Sequence, residues 1–272
     1  MEGTVLVHHG IKGQKWGVRR FQNYDGTLTA EGKRRYSSKD FGALRDDISK
    51  RSSDTLHAFE KQPIDISKVK ERGNLTDAEA NTCSKLAVSV YNKAAKAEPQ
   101  ITNDISESGM KLYGLEHRLK QPTSLAAKIG SDAKEKELSF DEASRGIKDA
   151  IRYTIISNDD SFVGNYNSLK QQLIDKGYSE LTCKNYFEEY KAGNVKHKSV
   201  QSVFKDPNGE RFEVQFQTPS SQAAKELKIP LYNERRTAGL SDERKSYLEG
   251  EMTKLAEQVT YPKGIESIKS HN

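Results

Sequence analysis

Two cysteines in 272 residues, Cys83 and Cys183, have no second Cys near either of them, so neither makes a zinc-type spacing. They read as free buried thiols, which suits a reducing cytoplasm. No apolar run exceeds a few residues, so no membrane span is expected, since that needs about 20. Met1–Val7 has neither a basic start nor a long apolar core, and His8-His9-Gly10 interrupts it, so no secretory signal is expected. No internal repeat is present. Hydrophobic residues make up 34% and charged residues 31%, a balance that predicts some extended or weakly ordered chain. Outside one place the two signs of charge nearly balance. Residues 1–36 carry seven basic residues against three acids, a surplus of four in a chain whose net charge is +5. The basic character belongs to that segment and does not mark the whole protein as a nucleic-acid binder.

Three regions follow along the chain. Residues 1–40 mix Gly, basic residues and the aromatics Trp16, Phe21, Tyr24 and Tyr36 with no sustained period. From 41 to 108 the chain reads as helical. Thr76-Asp-Ala-Glu79 has capping-box spacing, and Ala80, Leu86, Ala87, Val90, Tyr91 and Ala94 form a stripe that the spacing assigns to core packing, with Pro99 expected to end the helix. From 109 the pattern turns mixed. Strands are expected at 110–119, 149–157, 178–186, 199–205 and 211–218, and helices at 123–129, 162–176 (closed by Gly177), 219–227 and from 233. Asp206-Pro-Asn-Gly209 predicts a hairpin between the last two strands.

Alternation puts Phe212, Val214 and Phe216 on one face of the final strand and Arg211, Glu213, Gln215 and Gln217 on the other. Asp149 opens the strand that carries Ile151, Tyr153 and Ile155. Two carboxylates on neighbouring strands can hold Mg2+, which takes a few hard oxygens and leaves room for phosphate oxygens; an ordinary solvent-facing sheet surface gives the same pattern. Arg118, Lys120, Ser124 and Lys128 form a basic and hydroxyl series that Arg152 and Lys198 could join. Cations of this kind offset the charge that builds in phosphoryl transfer, and by themselves they equally suit a solvated surface.

Taken together these residues resemble the RelA/SpoT-type alarmone synthetase domain. Arg118-x-Lys120-x-x-x-Ser124 resembles its opening R-x-K-x-x-x-S motif. Asp149-Ala-Ile-Arg152 resembles its aspartate-bearing strand, with one residue fewer between acid and arginine. Lys198-Ser-Val-Gln201 sits where the family has G-Y-x-S-[LV]-H, and Phe212-Glu-Val-Gln-Phe-Gln-Thr218 resembles E-V-Q-I-R-T. The order is that of the family, over about half the chain. Arg152-Tyr-Thr154, Gln215-Phe216, Lys225-Glu226 and Leu231-Tyr232 resemble most closely a divergent branch found in polymorphic toxins and phage-encoded proteins.

The resemblance implies an α+β, nucleotidyltransferase-like mixed sheet flanked by helices over residues 109–258, after the helical region 41–108 and the basic segment 1–40, with a tail at 259–272. It implies pyrophosphate transfer from ATP to the 3′-hydroxyl of a purine nucleotide, or the 3′ end of a tRNA, with Mg2+ and with a role as a phage-encoded toxin. Asp149 and Glu213 would be the catalytic acids and metal ligands. Arg118, Lys120, Ser124, Lys128, Arg152, His197, Lys198 and Gln215 would bind nucleotide. Two positions depart from the pattern. His197 stands where the family stacks a tyrosine on the acceptor, and Gln217 replaces the arginine after E-V-Q. No His-Asp dipeptide occurs, so the hydrolase half of the long family members is not expected.

A second resemblance covers His8-His-Gly-Ile-Lys-Gly-Gln-Lys-Trp16 through Arg20, Tyr24-Asp-Gly-Thr-Leu-Thr and Gly32–Tyr36. It is to a segment of phage and prophage structural proteins of Gram-positive bacteria, and it implies phage head proteins as partners. The neighbouring His8 and His9, without further ligands, do not make a metal site. The expected location is the host cytoplasm or the virion. The alternative reading is a virion-associated structural or interaction protein whose synthetase-like domain is inactive.

Overall fold

The computed structural model describes residues 41–52, 54, 60–191, 197–235 and 240–272, so the segment 1–40 and its resemblance to phage proteins lie outside the described residues. In chain order the elements are α1 (Phe41–Lys50), α2 (Ile66–Gly73), α3 (Asp77–Ser106), β1 (Leu112–Tyr113), α4 (Pro122–Glu135), α5 (Phe140–Arg145), β2 (Ile151–Ile156), α6 (Phe162–Asp175), β3 (Ser179–Asn185), α7 (Tyr186–Lys191), β4 (Val200–Lys205), β5 (Arg211–Gln217), α8 (Pro219–Arg235) and α9 (Asp242–Glu257). The strands form one mixed sheet in the order β1-β2-β5-β4-β3. Only β2 and β5 run parallel; the other neighbours are antiparallel. The expected mixed sheet with helices around it is the observed α+β architecture.

Two units divide the chain. One comprises residues 49–219 and 261–272 and carries the whole sheet; the other takes in residues 220–260 together with the start of α1. Within the smaller unit Ser241 caps α9 by accepting the Arg244 N–H, and α8 and α9 are joined by the ion pairs Arg235–Glu249 and Arg244–Glu234. No helix among the described residues is long and apolar enough to cross a membrane.

Thr76 and Glu79 form the expected capping box at the start of α3, and Ala80, Ala87, Tyr91 and Ala94 are buried. Pro99 does not end this helix, which continues to Ser106. A mid-helix proline costs about 3 kcal/mol. The residues beyond it offset that cost. Ile101 and Ile105 are fully buried, Thr102 meets the Tyr153 hydroxyl at 2.6 Å, and Asp104 accepts from the Tyr178 hydroxyl at 2.6 Å. The strand expected at 110–119 is also broken. Gly114, at φ +69°, turns the chain into a 3-10 turn at Leu115–His117, and pairing with β2 resumes only at Leu119 opposite Ile151.

The apolar face of the sheet is an aromatic layer. Phe212 contacts Tyr153, Tyr178 and Phe204, and Phe216 contacts Phe162 and Tyr166 of α6. The β4–β5 hairpin is set as expected: Asp206 accepts the N–H groups of Asn208 and Glu210, and Gly209 takes φ +93°. The last residues fold back on the sheet. Cys183 of β3 and His271 exchange backbone hydrogen bonds of 3.0 and 2.9 Å.

Candidate active site

The site starts where residues 118–120 run beside the head of β2. The Lys120 N–H donates to the Ala150 carbonyl at 2.9 Å, and the Arg152 N–H donates to the Arg118 carbonyl at 2.8 Å. Gln121 then gives way to Pro122, which opens α4 because a first-turn proline sacrifices no helical hydrogen bond. Ser124 and Lys128 follow one turn apart on a shared side of α4.

These elements converge on Asp149, which precedes β2 rather than beginning it. The Lys120 ammonium contacts Asp149 Oδ2, and the Lys128 ammonium lies 3.7 Å from Oδ1. Oδ1 is enclosed yet has no hydrogen-bond partner. Burial alone would push the Asp149 carboxyl up, but Lys120, Lys128 and Arg152 outweigh it and hold the group below the usual carboxylate range. Burial draws the Lys120 ammonium down, against the opposing pull of Asp149.

Glu213 lies in β5 directly opposite Arg152 of β2, and Gln215 lies opposite both Thr154 and Gln201. These side chains share the polar face, as alternation predicts. Along it runs a chain of contacts: Gln215 Nε2 donates to Glu213 Oε1 at 2.5 Å, Gln217 Nε2 donates to Gln215 Oε1 at 3.3 Å, and Gln217 Oε1 meets His197 Nε2 at 3.0 Å. Gln217 is fully buried and Gln215 nearly so. Arg152 links the two acids: its charge acts on Asp149, and its register partner is Glu213.

No protein-family model matches the sequence, and no curated protein matches it. Solved structures do. Small alarmone synthetase 1 from Bacillus subtilis, bound to its product pppGpp, is 17% identical, with 61% of this chain and 88% of that chain covered and a TM-score of 0.42. Small alarmone synthetase 2 from Bacillus subtilis is 20% identical over 64% of this chain and 97% of that one, with a TM-score of 0.39. The complex of the Type VI effector Tas1 with its immunity protein matches with 16% identity, the same coverages and a TM-score of 0.39.

Within this chain Lys120, Lys128, Asp149 and Arg152 form one electrostatic cluster, and Glu213 faces Arg152 in the strand register. Arg118 and Lys198 are engaged elsewhere. Arg118 is buried, and its guanidinium donates to Glu98 Oε1 of α3 at 2.6 Å and to the Leu115 carbonyl at 3.0 Å. Lys198 is also buried, its ammonium 4.3 Å from the Tyr190 ring and 4.4 Å from the Tyr261 ring. Sequence reasoning missed Glu98, Tyr190 and Tyr261, and it named Gln217 only as a departure from the family pattern, without its contact to His197. Gln217 had a visible signal, since it shares the period of Glu213 and Gln215. Glu98 had none beyond being an acid in an otherwise apolar helical stripe.

Proposed function

We propose that this chain transfers a pyrophosphate group from ATP to the 3′-hydroxyl of a purine nucleotide. The observation that carries the reading is Asp149: a charged, mostly buried carboxylate between two lysines, with one oxygen lacking a hydrogen-bond partner, in a chain whose motifs follow the synthetase order. An enclosed oxygen without a partner is costly unless a ligand completes it.

That oxygen fits a magnesium ion. Among the described residues no cluster of three or more metal-ligating side chains exists, and Mg2+ needs only one or two carboxylates when substrate phosphates supply the rest. Asp149 would hold it, with Glu213 as the second acid. Bound there, it would neutralise charge on the transferring phosphates. Lys120, Lys128 and Arg152 would bind phosphate oxygens, with Ser124 as a hydroxyl donor beside them. The 3′-oxygen forms a bond to the β-phosphorus of ATP, the bond from that phosphorus to the α-phosphate oxygen breaks, and AMP leaves. Glu213 takes the hydroxyl proton. Such chemistry needs positioning and cations rather than a covalent nucleophile.

The second reading, an inactive domain in a virion-associated protein, is favoured by one observation: Gln215 and Gln217 are buried on the face where the acceptor would lie. Incubation of the purified chain with γ-labelled ATP, Mg2+ and guanosine nucleotides, adenosine nucleotides or tRNA in turn separates the readings. Label on an acceptor with release of AMP supports transfer. No transfer to any acceptor supports the inactive domain.

A further inference from the structure

Gln217 and His197 are two of the positions at which the chain departs from the synthetase pattern, and they touch each other. The direction of their hydrogen bond follows from the carboxylate at the far end of the chain. A carboxylate oxygen accepts hydrogen bonds from N–H donors. Gln215 therefore presents its amide nitrogen to Glu213, which leaves its oxygen to Gln217. Gln217 in turn presents its nitrogen to Gln215 and its oxygen to His197. An amide oxygen can receive only a proton-bearing nitrogen, so His197 Nε2 must carry hydrogen. With Gln217 fully buried, this arrangement is enforced, because an unpaired amide there costs about 1–3 kcal/mol.

We propose that Gln217 is a positioning residue that fixes the His197 ring in its Nε2–H form and ties its orientation, through Gln215, to Glu213. As a specificity device this rests on the pyrophosphate-transfer reading, with His197 at the position where the resemblance puts the acceptor-stacking residue. Arginine at 217 has donors only and could not accept from Nε2–H. Glutamine at 217 and histidine at 197 therefore work as a pair: the amide oxygen supplies the acceptor that this tautomer of the ring requires.

The test is nitrogen-15 NMR of the imidazoles in the full chain at a pH where they are neutral, with His197→Ala identifying the signal. The expected result is an Nε2–H tautomer in the wild type that becomes a mixture in Gln217→Met. An Nδ1–H tautomer in the wild type overturns the proposal, as does an unchanged tautomer in folded Gln217→Met. Should the methionine variant fail to fold, the wild-type tautomer still decides, and Gln217→Asn, too short to reach the ring, replaces it. In turnover assays Gln217→Met should raise the acceptor KM about tenfold, the scale of one lost hydrogen bond, with kcat changed less. Gln217→Arg should be more harmful alone than combined with His197→Tyr; equal harm with and without the second change counts against the pairing. Absence of turnover in the wild type would remove the reading of this site as an enzyme, while the NMR result would still judge the relay.

Discussion

Arg152 and Glu213 stand opposite each other on the parallel strands β2 and β5, so the cation that acts on Asp149 is also the register partner of the second acid. Glu213→Gln keeps the shape and the contact with Gln215 but cannot take a proton. Turnover should fall roughly a hundred- to ten-thousand-fold, the usual worth of general-base help, with the circular dichroism spectrum unchanged. Full activity in this variant would remove Glu213 from the chemistry.

Asp149 gives a pH signature. Its folded pKa is depressed, so its contribution to stability is present above the unfolded value and is lost as pH falls through the folded one. Below about pH 4, the ordinary aspartate range, urea midpoints of the wild type should fall faster than those of Asp149→Asn. Parallel curves would contradict this. The same variant should bind Mg2+ more weakly, measured by calorimetry with a non-hydrolysable ATP analogue.

Arg118 and Glu98 form an ion pair with side chains 4% and 8% exposed. Removing one partner strands a buried charge, so Arg118→Leu should cost about 3–5 kcal/mol of stability by chemical denaturation. Lys128→Ala, at a side chain 36% exposed, should cost under about 1 kcal/mol and act instead on ATP affinity. A reversed order of these two effects would place Arg118 at the nucleotide and Lys128 in the frame.

Lys198 lies between Tyr190 and Tyr261. Lys198→Met should lose about 2 kcal/mol, the scale of a desolvated cation–π contact. Lys198→Arg should retain most of it, because a guanidinium also stacks on rings. Thermal melts of the two variants check this, and equal losses would mean that ring stacking is not what holds the residue.

Much of this architecture is legible in the sequence because period and turn chemistry are local. The alternation of Phe212, Val214 and Phe216 against Glu213, Gln215 and Gln217, and the Asp206–Gly209 turn, needed no partner to be read. What was not legible depends on residues distant in sequence. Pro99 looks like a stop until Thr102 and Asp104 meet Tyr153 and Tyr178, 51 and 74 positions away. Arg118 looks like a phosphate ligand until Glu98 is found beside it. The motif order brought Lys120, Lys128 and Asp149 to attention, but the contact between His197 and Gln217 follows only from the backbone geometry that brings the residues before β4 to the end of β5.

The last residues of the chain, expected as a tail, give the final prediction. Asn185 donates its side-chain amide to the carbonyls of Ile265 and Ile268, both at 2.9 Å, and its backbone N–H to Ser270 Oγ at 2.9 Å. Ile265 and Ile268 are buried, and His271 reaches Glu180 Oε2 at 3.1 Å. Truncation after Pro262 would expose two isoleucine sites, at about 1.5–3 kcal/mol each. It would also leave the buried Asn185 amide without acceptors and uncover the edge of β3. The truncated chain should lose on the order of 5 kcal/mol in urea denaturation and self-associate in light scattering. Ile268→Ala alone should lose about 2–5 kcal/mol while remaining monodisperse, because the backbone pairing of Cys183 with His271 still covers the edge. An unchanged urea midpoint on truncation would mean that this segment adds nothing to the sheet.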